Sequence, residues 1–208
     1  MEIGLFPLGI VLLPTEQLPL HIFEPRYREL IGECISEERE FGLVYADDAG
    51  VRPVGTRAAV VEVVDRFEDG RLNVVVEGGE RFRIVEPTSG RSFDTAEVEA
   101  VEDQQDPGEA DDVGRALALF QRLVDLTGSD VEPPEGDAPQ LSYALAARFD
   151  FAPELKQELL QETSERIRLK RLGDLLEAAA EAVERQQEIA ARAQTNGRVH
   201  PRPLPGES

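Results

Sequence analysis

The chain has 208 residues, with 22 Lys plus Arg against 42 Asp plus Glu and a formal charge of −20. Both halves are acidic, −12 over 1–105 and −8 over 106–208, so the charge is not one detachable tail. Such a field repels nucleic-acid phosphates and anionic lipid headgroups and favours basic partners. The single cysteine, Cys34, excludes an internal disulfide and a cysteine-based zinc site.

The 41% hydrophobic content supports a packed core, in one large domain or two small ones sharing an interface. The apolar start lacks a basic leader and is interrupted by Pro7, Pro14 and Pro19, and no later stretch is long enough to span a bilayer. A cytoplasmic location with no membrane partner is the expectation.

In chain order, residues 3–13 and Leu18 to Phe23 read as short extended segments. Glu24-Pro25 opens a helix, because proline at a first-turn position loses an N–H that has no partner there anyway. Tyr27, Leu30, Ile31, Cys34 and Ile35 recur at spacings of three and four and form its apolar stripe. Phe41 to Ala46 is the next strand. A run from Ala58 to Phe67 turns at Glu68-Asp69-Gly70-Arg71 and returns as Leu72 to Glu77, since Asp-Gly between β-branched runs signals a hairpin. Gly78-Gly79 permits a bulge before Arg81 to Val85. Thr95 to Val101 alternates, with Ala96, Val98 and Ala100 opposite Glu97, Glu99 and Glu102.

After Val101 the periodicity is lost, and five acidic residues fall between Asp103 and Asp112. The period then becomes helical. Val113, Leu117, Phe120, Leu123 and Val124 lie on one helix ending near Thr127-Gly128. Leu141 to Phe149 and Pro153 to Gln161 are short helices, and Thr163 or Ser164 caps a final long one whose stripe is Ile167, Leu172, Leu175, Leu176, Ala179 and Val183. The division expected is a β-rich unit over 1–103, a solvated acidic linker over 104–112, a helical unit over 113–195 and a disordered tail over 196–208.

Catalytic chemistry is sparse. Neither lysine follows a glycine, which removes the phosphate-cradling P-loop, and Lys156 and Lys170 read as solvated helix charges rather than the buried base of a Ser–Lys hydrolase. His200 lies in the tail. His21 shares a strand face with Pro19 and Phe23 and reads as a hydrogen-bonded structural histidine, a functional imidazole being the alternative. Cys34 on a buried stripe is expected to be inert. No catalytic, cofactor-binding or metal-ligating residue is assigned.

The order of motifs carries more than any one of them. Phe6-Pro7-Leu8, Leu12-Leu13-Pro14, Leu18 through Tyr27, Phe41-Gly42-Leu43-Val44, Gly55-Thr56, Asp69-Gly70-Arg71, Gly78 to Phe82, Lys156 to Leu160, Arg168-Leu169 and Leu172 together resemble the Lon protease amino-terminal, or substrate-binding, domain. The resemblance covers about residues 3–185. It implies an α+β protein: a PUA-like β-barrel or pseudobarrel in front and a C-terminal helical bundle behind, standing alone without the family's ATPase and peptidase modules. Apart from any ligand, Pro25 starts a helix, Arg26 is placed to pair with a carboxylate, Gly55, Gly70 and Gly78 supply backbone freedom, and Phe6, Phe23, Phe41 and Phe82 read as core.

The function implied is a non-catalytic polypeptide-binding module, a substrate-recognition or adaptor protein, with a polypeptide partner and no cofactor. Two alternatives stand beside it: an RNA-binding PUA-like module, opposed by the absence of a basic stripe, and an ATP-independent hydrolase.

Overall fold

In the computed structural model, which describes residues 1–136, 138 and 140–196, the front half closes a sheet on itself. β1 (Glu2–Leu8) runs parallel to β3 (Phe41–Asp47), with Leu5 opposite Gly42 and Leu8 opposite Tyr45. The ladder continues antiparallel through β5 (Val54–Arg66), β6 (Leu72–Thr88) and β7 (Thr95–Ala100), and β7 pairs back onto Glu2–Gly4 of β1. The result is a pseudobarrel. The parallel β1–β3 contact accounts for the unbroken apolar run Phe41–Tyr45, which is buried on both faces as strands of parallel pairs usually are. β4 (Gly50–Val51) is a two-residue flap on β3 that the sequence pattern did not announce.

Phe82 fills the barrel interior with Ile3, Leu5, Val44, Ala96 and Val98. Its ring occupies the space where side chains at Gly42 and Gly55 would begin: a Cβ on either would fall 2.6 or 2.9 Å from the ring carbon Cζ. Glycine is therefore a packing requirement at these two positions, set by an aromatic on a facing strand.

β5 and β6 are longer than the barrel needs, at 13 and 17 residues. Their far ends form an arm, and β2 (Gln17–Ile22) pairs antiparallel with Leu72–Glu77 to complete it. The arm ends in the expected hairpin. The Phe67 amide donates to the Arg71 carbonyl, and Gly70 takes φ +85, so the connection is a three-residue loop with glycine in the left-handed position. The expected bulge lies on β6 at Gly79-Glu80: Gly78 pairs with Ala58 and Arg81 with Thr56, so two residues of β6 stand opposite Arg57 alone. Gly78 itself has a further duty. The loop after β1 crosses β6 here, with the Thr15 amide donating to the Gly78 carbonyl and the Gly78 amide to the Glu16 carbonyl.

Helix α1 (Pro25–Glu37) begins at Pro25 and stops at Glu38, which adopts φ 52. Its buried residues Tyr27, Leu30, Ile31 and Cys34 cover one face of the arm, against Ile22, Leu72, Val74 and Val76. The helical half comprises α2 (Ala110–Thr127), α3 (Leu141–Ala146), α4 (Pro153–Gln161) and α5 (Glu165–Asn196). Gly128 at φ 66 ends α2, and Ser164 rather than Thr163 caps α5, its Oγ accepting from the Ile167 amide at 3.1 Å. Val11, Leu13, Tyr45 and Val54 of the barrel enter the helical core, which makes the two halves one packed body.

Three expectations change. The buried row of α5 is Arg168, Leu169, Leu172, Leu176 and Ala180, with Leu175, Ala179 and Val183 packed at its margin, and of the expected stripe Ile167 alone faces solvent. Residues 104–112 are not a free solvated linker. α2 already begins at Ala110, and Asp106 is held by Arg166 and Ser164. The tail expected over 196–208 lies outside the described residues apart from Asn196.

A Cβ at Gly78 would lie 2.1 Å from the Leu13 carbonyl oxygen, whereas one at Gly9 meets nothing within 4 Å. Gly78→Ala should therefore cost about 1–3 kcal/mol through overpacking, and Gly9→Ala less than about 0.5 kcal/mol. Urea titration of both variants measures the difference.

Candidate functional site

Among the described residues, no layer covers the outer face of the arm. α1 shields the inner face, so alternation along β2 and β6 leaves Pro19, His21, Asn73 and Val75 on the uncovered side, with His21 opposite Asn73 and Pro19 opposite Val75. Phe23 follows directly after β2 and is 60% exposed, which corrects its reading as a core residue. The chain leaves the sheet at Ile22, and none of the described residues packs over that side. Phe23 stacks on His21 with ring centroids 5.9 Å apart, and Phe67, from the hairpin, meets the same imidazole edge-on at 6.1 Å. The Arg71 guanidinium lies 5.0 Å above the Phe67 ring.

His21 is held in place. Asn73 Nδ2 donates to Asp65 Oδ2 at 2.8 Å, which turns Asn73 Oδ1 toward His21 Nδ1 at 2.6 Å. An amide oxygen only accepts, so Nδ1 carries the hydrogen, and the imidazole is fixed as a platform between two phenyl rings. This is the hydrogen-bonded histidine expected from the sequence, at the centre of an exposed aromatic cluster. Val61 and Val64 add further exposed apolar surface on β5 of the same arm. Each sits where the β5–β6 register skips a residue. Large apolar side chains gathered on one surface mark a contact region more than scattered ones do.

A second constellation lies between the two halves. Arg168 of α5 is fully buried. Its Nη1 donates to Asp103 Oδ1 and the Glu162 carbonyl, both at 2.7 Å, its Nη2 to Asp103 Oδ2 at 2.5 Å and Glu165 Oε2 at 2.6 Å, and its Nε to Ser142 Oγ at 2.9 Å. Arg81 of β6 reaches the same Asp103 from the barrel and donates to the Leu160 and Glu162 carbonyls at 2.8 Å. Both guanidinium groups lie over the Tyr143 ring, at 4.4 Å for Arg168 and 5.6 Å for Arg81. Burial pushes the Tyr143 phenol up to about 12, so it stays protonated and donates to the Leu159 carbonyl. Every group here is engaged with a protein partner, so the cluster is a joint between halves.

Lys156 departs from its reading as a solvated charge. α4 turns it inward against the front half, where its ammonium meets Glu16 Oε1 at 2.5 Å, with both side chains about one-tenth exposed. The neighbouring Gln157 amide donates to the Val54 carbonyl. Lys170 lies at the surface near Asp112. Cys34 is buried, and desolvation followed by Glu33 and Glu37 pushes its thiol up to about 11, away from the reactive thiolate. Arg26 pairs with Glu24 at 3.0 Å. Phe6, Phe41 and Phe82 are core, as expected.

A closed barrel with a one-sided arm, locked to a helical half, places the chain among LON-type amino-terminal domains. The chain belongs to the LON substrate-binding domain family: the family described as the ATP-dependent protease La (LON) substrate-binding domain matches residues 2–178. It is 30% identical over 211 residues to a Lon protease of Paraburkholderia phytofirmans, covering 92% of this chain and 26% of that protein. It is 26% identical over 207 residues to Lon protease 2 of Syntrophobacter fumaroxidans, with the same coverages of 92% and 26%. The chain thus spans about a quarter of the length of these curated relatives. Among solved structures, a Lon N-terminal domain protein from Xanthomonas campestris superposes with a TM-score of 0.67 at 26% identity, covering 83% of this chain and 96% of that one. The N-terminal domain of Mycobacterium avium complex Lon protease shares the fold, with a TM-score of 0.62 at 17% identity over 85% of this chain and 98% of that one. Among the described residues no helix is long and apolar enough to cross a membrane.

The joint makes stability sensitive to acid. Burial is the largest single influence on Asp103 and opposes its charge. The hydrogen bond from Arg168 and the charges of Arg168 and Arg81 outweigh it and hold the carboxyl below its usual range. A lowered folded-state value contributes stability that is fully present above about pH 4, the ordinary carboxylate range, and is lost as pH falls through the folded value. Asp103→Asn should therefore be less stable than the parent at pH 7, and the gap should narrow as the pH falls below about 4 in urea titrations. Arg168→Met leaves Asp103 with Arg81 as its one cationic partner and Glu165 with Ser142 alone, and should cost about 3–5 kcal/mol, with Arg168→Lys intermediate because it keeps the charge and loses the fork.

Proposed function

We propose that this chain is a non-catalytic polypeptide-binding module that recognises its partners through the uncovered face of the arm, around Phe23, His21 and Phe67. The observation that carries the reading is the stacked aromatic cluster itself. Two phenyl rings stand at the surface on a histidine that a hydrogen-bond chain holds rigid. Aromatic rings on a rigid support bind apolar side chains at small conformational cost, because few rotamers are frozen on contact. Membership of a substrate-binding domain family supports the same reading. The buried groups that resemble catalytic equipment support it too. Lys156 is neutralised by Glu16, and Cys34 is desolvated inside its helix stripe.

The surface charge sets the kind of polypeptide. With a net charge of −20, segments carrying Lys or Arg beside apolar residues are attracted, and strongly acidic ones are repelled. Arginines that would otherwise attract phosphates are already paired: Arg52 with Asp47, Arg91 with Glu33, Arg115 with Asp174 and Arg122 with Glu184.

The test is binding of a permanently unfolded protein, such as reduced and carboxymethylated lactalbumin, by fluorescence anisotropy. Phe23→Ser and Phe67→Ser should each weaken binding about tenfold or more, the range of a lost aromatic anchor. Thermal unfolding of both variants should match the parent, because the rings are exposed. Unchanged affinity in the double variant would remove the arm from the reading.

A further inference from the structure

We propose that the free edge of β5, from Ala58 to Val63, accepts an extended cationic segment of a polypeptide by strand addition. The inference rests on the reading of the chain as a polypeptide-binding module and names the chemistry of what it binds.

β3 pairs with β5 over three positions only, ending with Phe41 opposite Ala58. Before Phe41 the chain turns back into α1, so the line of β3 is vacated just where β5 continues. Past Ala58, β5 is paired on its β6 side, and among the described residues no strand pairs with its other side. An open edge presents unpaired N–H and C=O groups, which is the template that strand addition uses. The arm's other open edge, on β2, is a poorer template because Pro19 sits in its middle and has no N–H.

The space beside the β5 edge has the shape and charge of a receiving groove. One cavity of about 290 Å³ runs between Ala59–Val63 and the end of α1, and a second of about 930 Å³ continues it toward β1 and Phe93. The two share Cys34, Glu38, Arg39, Glu40 and Ala59 as walls. Carboxylates at Glu2, Glu33, Glu37, Glu38, Glu40 and Glu62 line them against guanidinium groups at Arg39, Arg57 and Arg91. The groove is therefore acidic while its floor is apolar. Arg57, four-fifths buried at the groove wall, already faces Glu40 at 3.8 Å, which leaves the remaining carboxylates of the groove to an incoming cation. Val61, half exposed beside the edge, offers an apolar contact for one face of an added strand, and Glu62 offers a charge. The groove favours Lys or Arg alternating with apolar residues. It disfavours a second copy of this chain, whose edge would bring the same glutamates.

The test uses fluorescein-labelled eight-residue peptides in anisotropy titrations at low salt. An alternating Val-Lys peptide should bind at least about tenfold more tightly than its Val-Glu counterpart, the discrimination expected of charge complementarity. Two further Val-Lys peptides carry N-methyl groups on alternate amides in opposite registers. Because successive amides of a strand point to opposite edges, one methylated peptide should lose binding and the other keep it. Val61→Ser and Glu62→Lys should each weaken the unmodified peptide severalfold with unchanged thermal unfolding. If both methylated peptides bind like the parent peptide, and affinity falls only in Phe23→Ser and Phe67→Ser, strand addition is wrong while the aromatic face still binds polypeptide. If no peptide and no unfolded protein binds, both readings fail. Sedimentation showing a dimer that Val61→Ser dissociates would assign the edge to a second copy and overturn the proposal.

Discussion

The guanidinium of Arg168 is buried at the meeting point of both halves of the chain, and much of the architecture can be derived from its needs. Five N–H donors taken out of water must all find acceptors, or the fold loses several kcal/mol per unmet charge. Asp103 supplies a fork from the end of the barrel, Glu165 and the Glu162 carbonyl supply the start of α5, and Ser142 supplies α3. Arg81 repeats the demand from inside β6 and shares Asp103. The segment after β7 is thereby held against α5, and α3 is clamped beneath by Tyr143. Two separate charges of one sign converge on one carboxylate, so the arrangement holds only while both halves are docked.

That docking has a consequence on the far side of the barrel. The helical half covers the barrel end where Val11, Leu13, Tyr45 and Val54 enter its core, and Lys156 seals the loop before β2 through Glu16. The arm projects beyond this contact and, among the described residues, has a single helix, α1, to cover it. A three-stranded sheet with one helix is stable because one apolar face is buried. It necessarily leaves the second face and both edges to solvent. The exposed aromatic cluster and the open β5 edge are therefore products of the same shortage of covering elements, and they lie where the rigid body offers steady support from below.

Much of this was legible in the residues. The Pro25 helix start, the α1 stripe, the Asp-Gly hairpin, the end of α2 at Gly128 and α4 over Pro153–Gln161 follow from local rules of capping, periodicity and turn geometry, which act within a few residues. What failed depends on neighbours distant in the chain. Alternation placed His21, Pro19 and Phe23 on one face correctly but could not say that the face is bare, because coverage is decided by where α1 lands. Lys156 was misjudged for the same reason: its partner is Glu16, and nothing local couples them. Arg168 was the readable miss. It stands four residues before Leu172 and eight before Leu176, on the row that packs inward, and a charge on a buried row announces a partner that must be found. The parallel β1–β3 closure left a trace as well, in the two-faced apolar run of β3.

The strong acidity takes on a structural meaning beside the open edge. Sheet edges invite pairing between copies, and proteins protect them with bulges, prolines or charge. β2 uses Pro19. β5 carries glutamates along its groove. Charge protects only against like charge. At physiological ionic strength, repulsion between two copies fades beyond about 8 Å, so the glutamates act at contact distance, where edges would otherwise join. The same groups attract a cationic segment at that distance. A proline or a covering helix would have closed the edge to every partner, whereas carboxylates close it to copies of this chain and leave it open to chains of opposite charge.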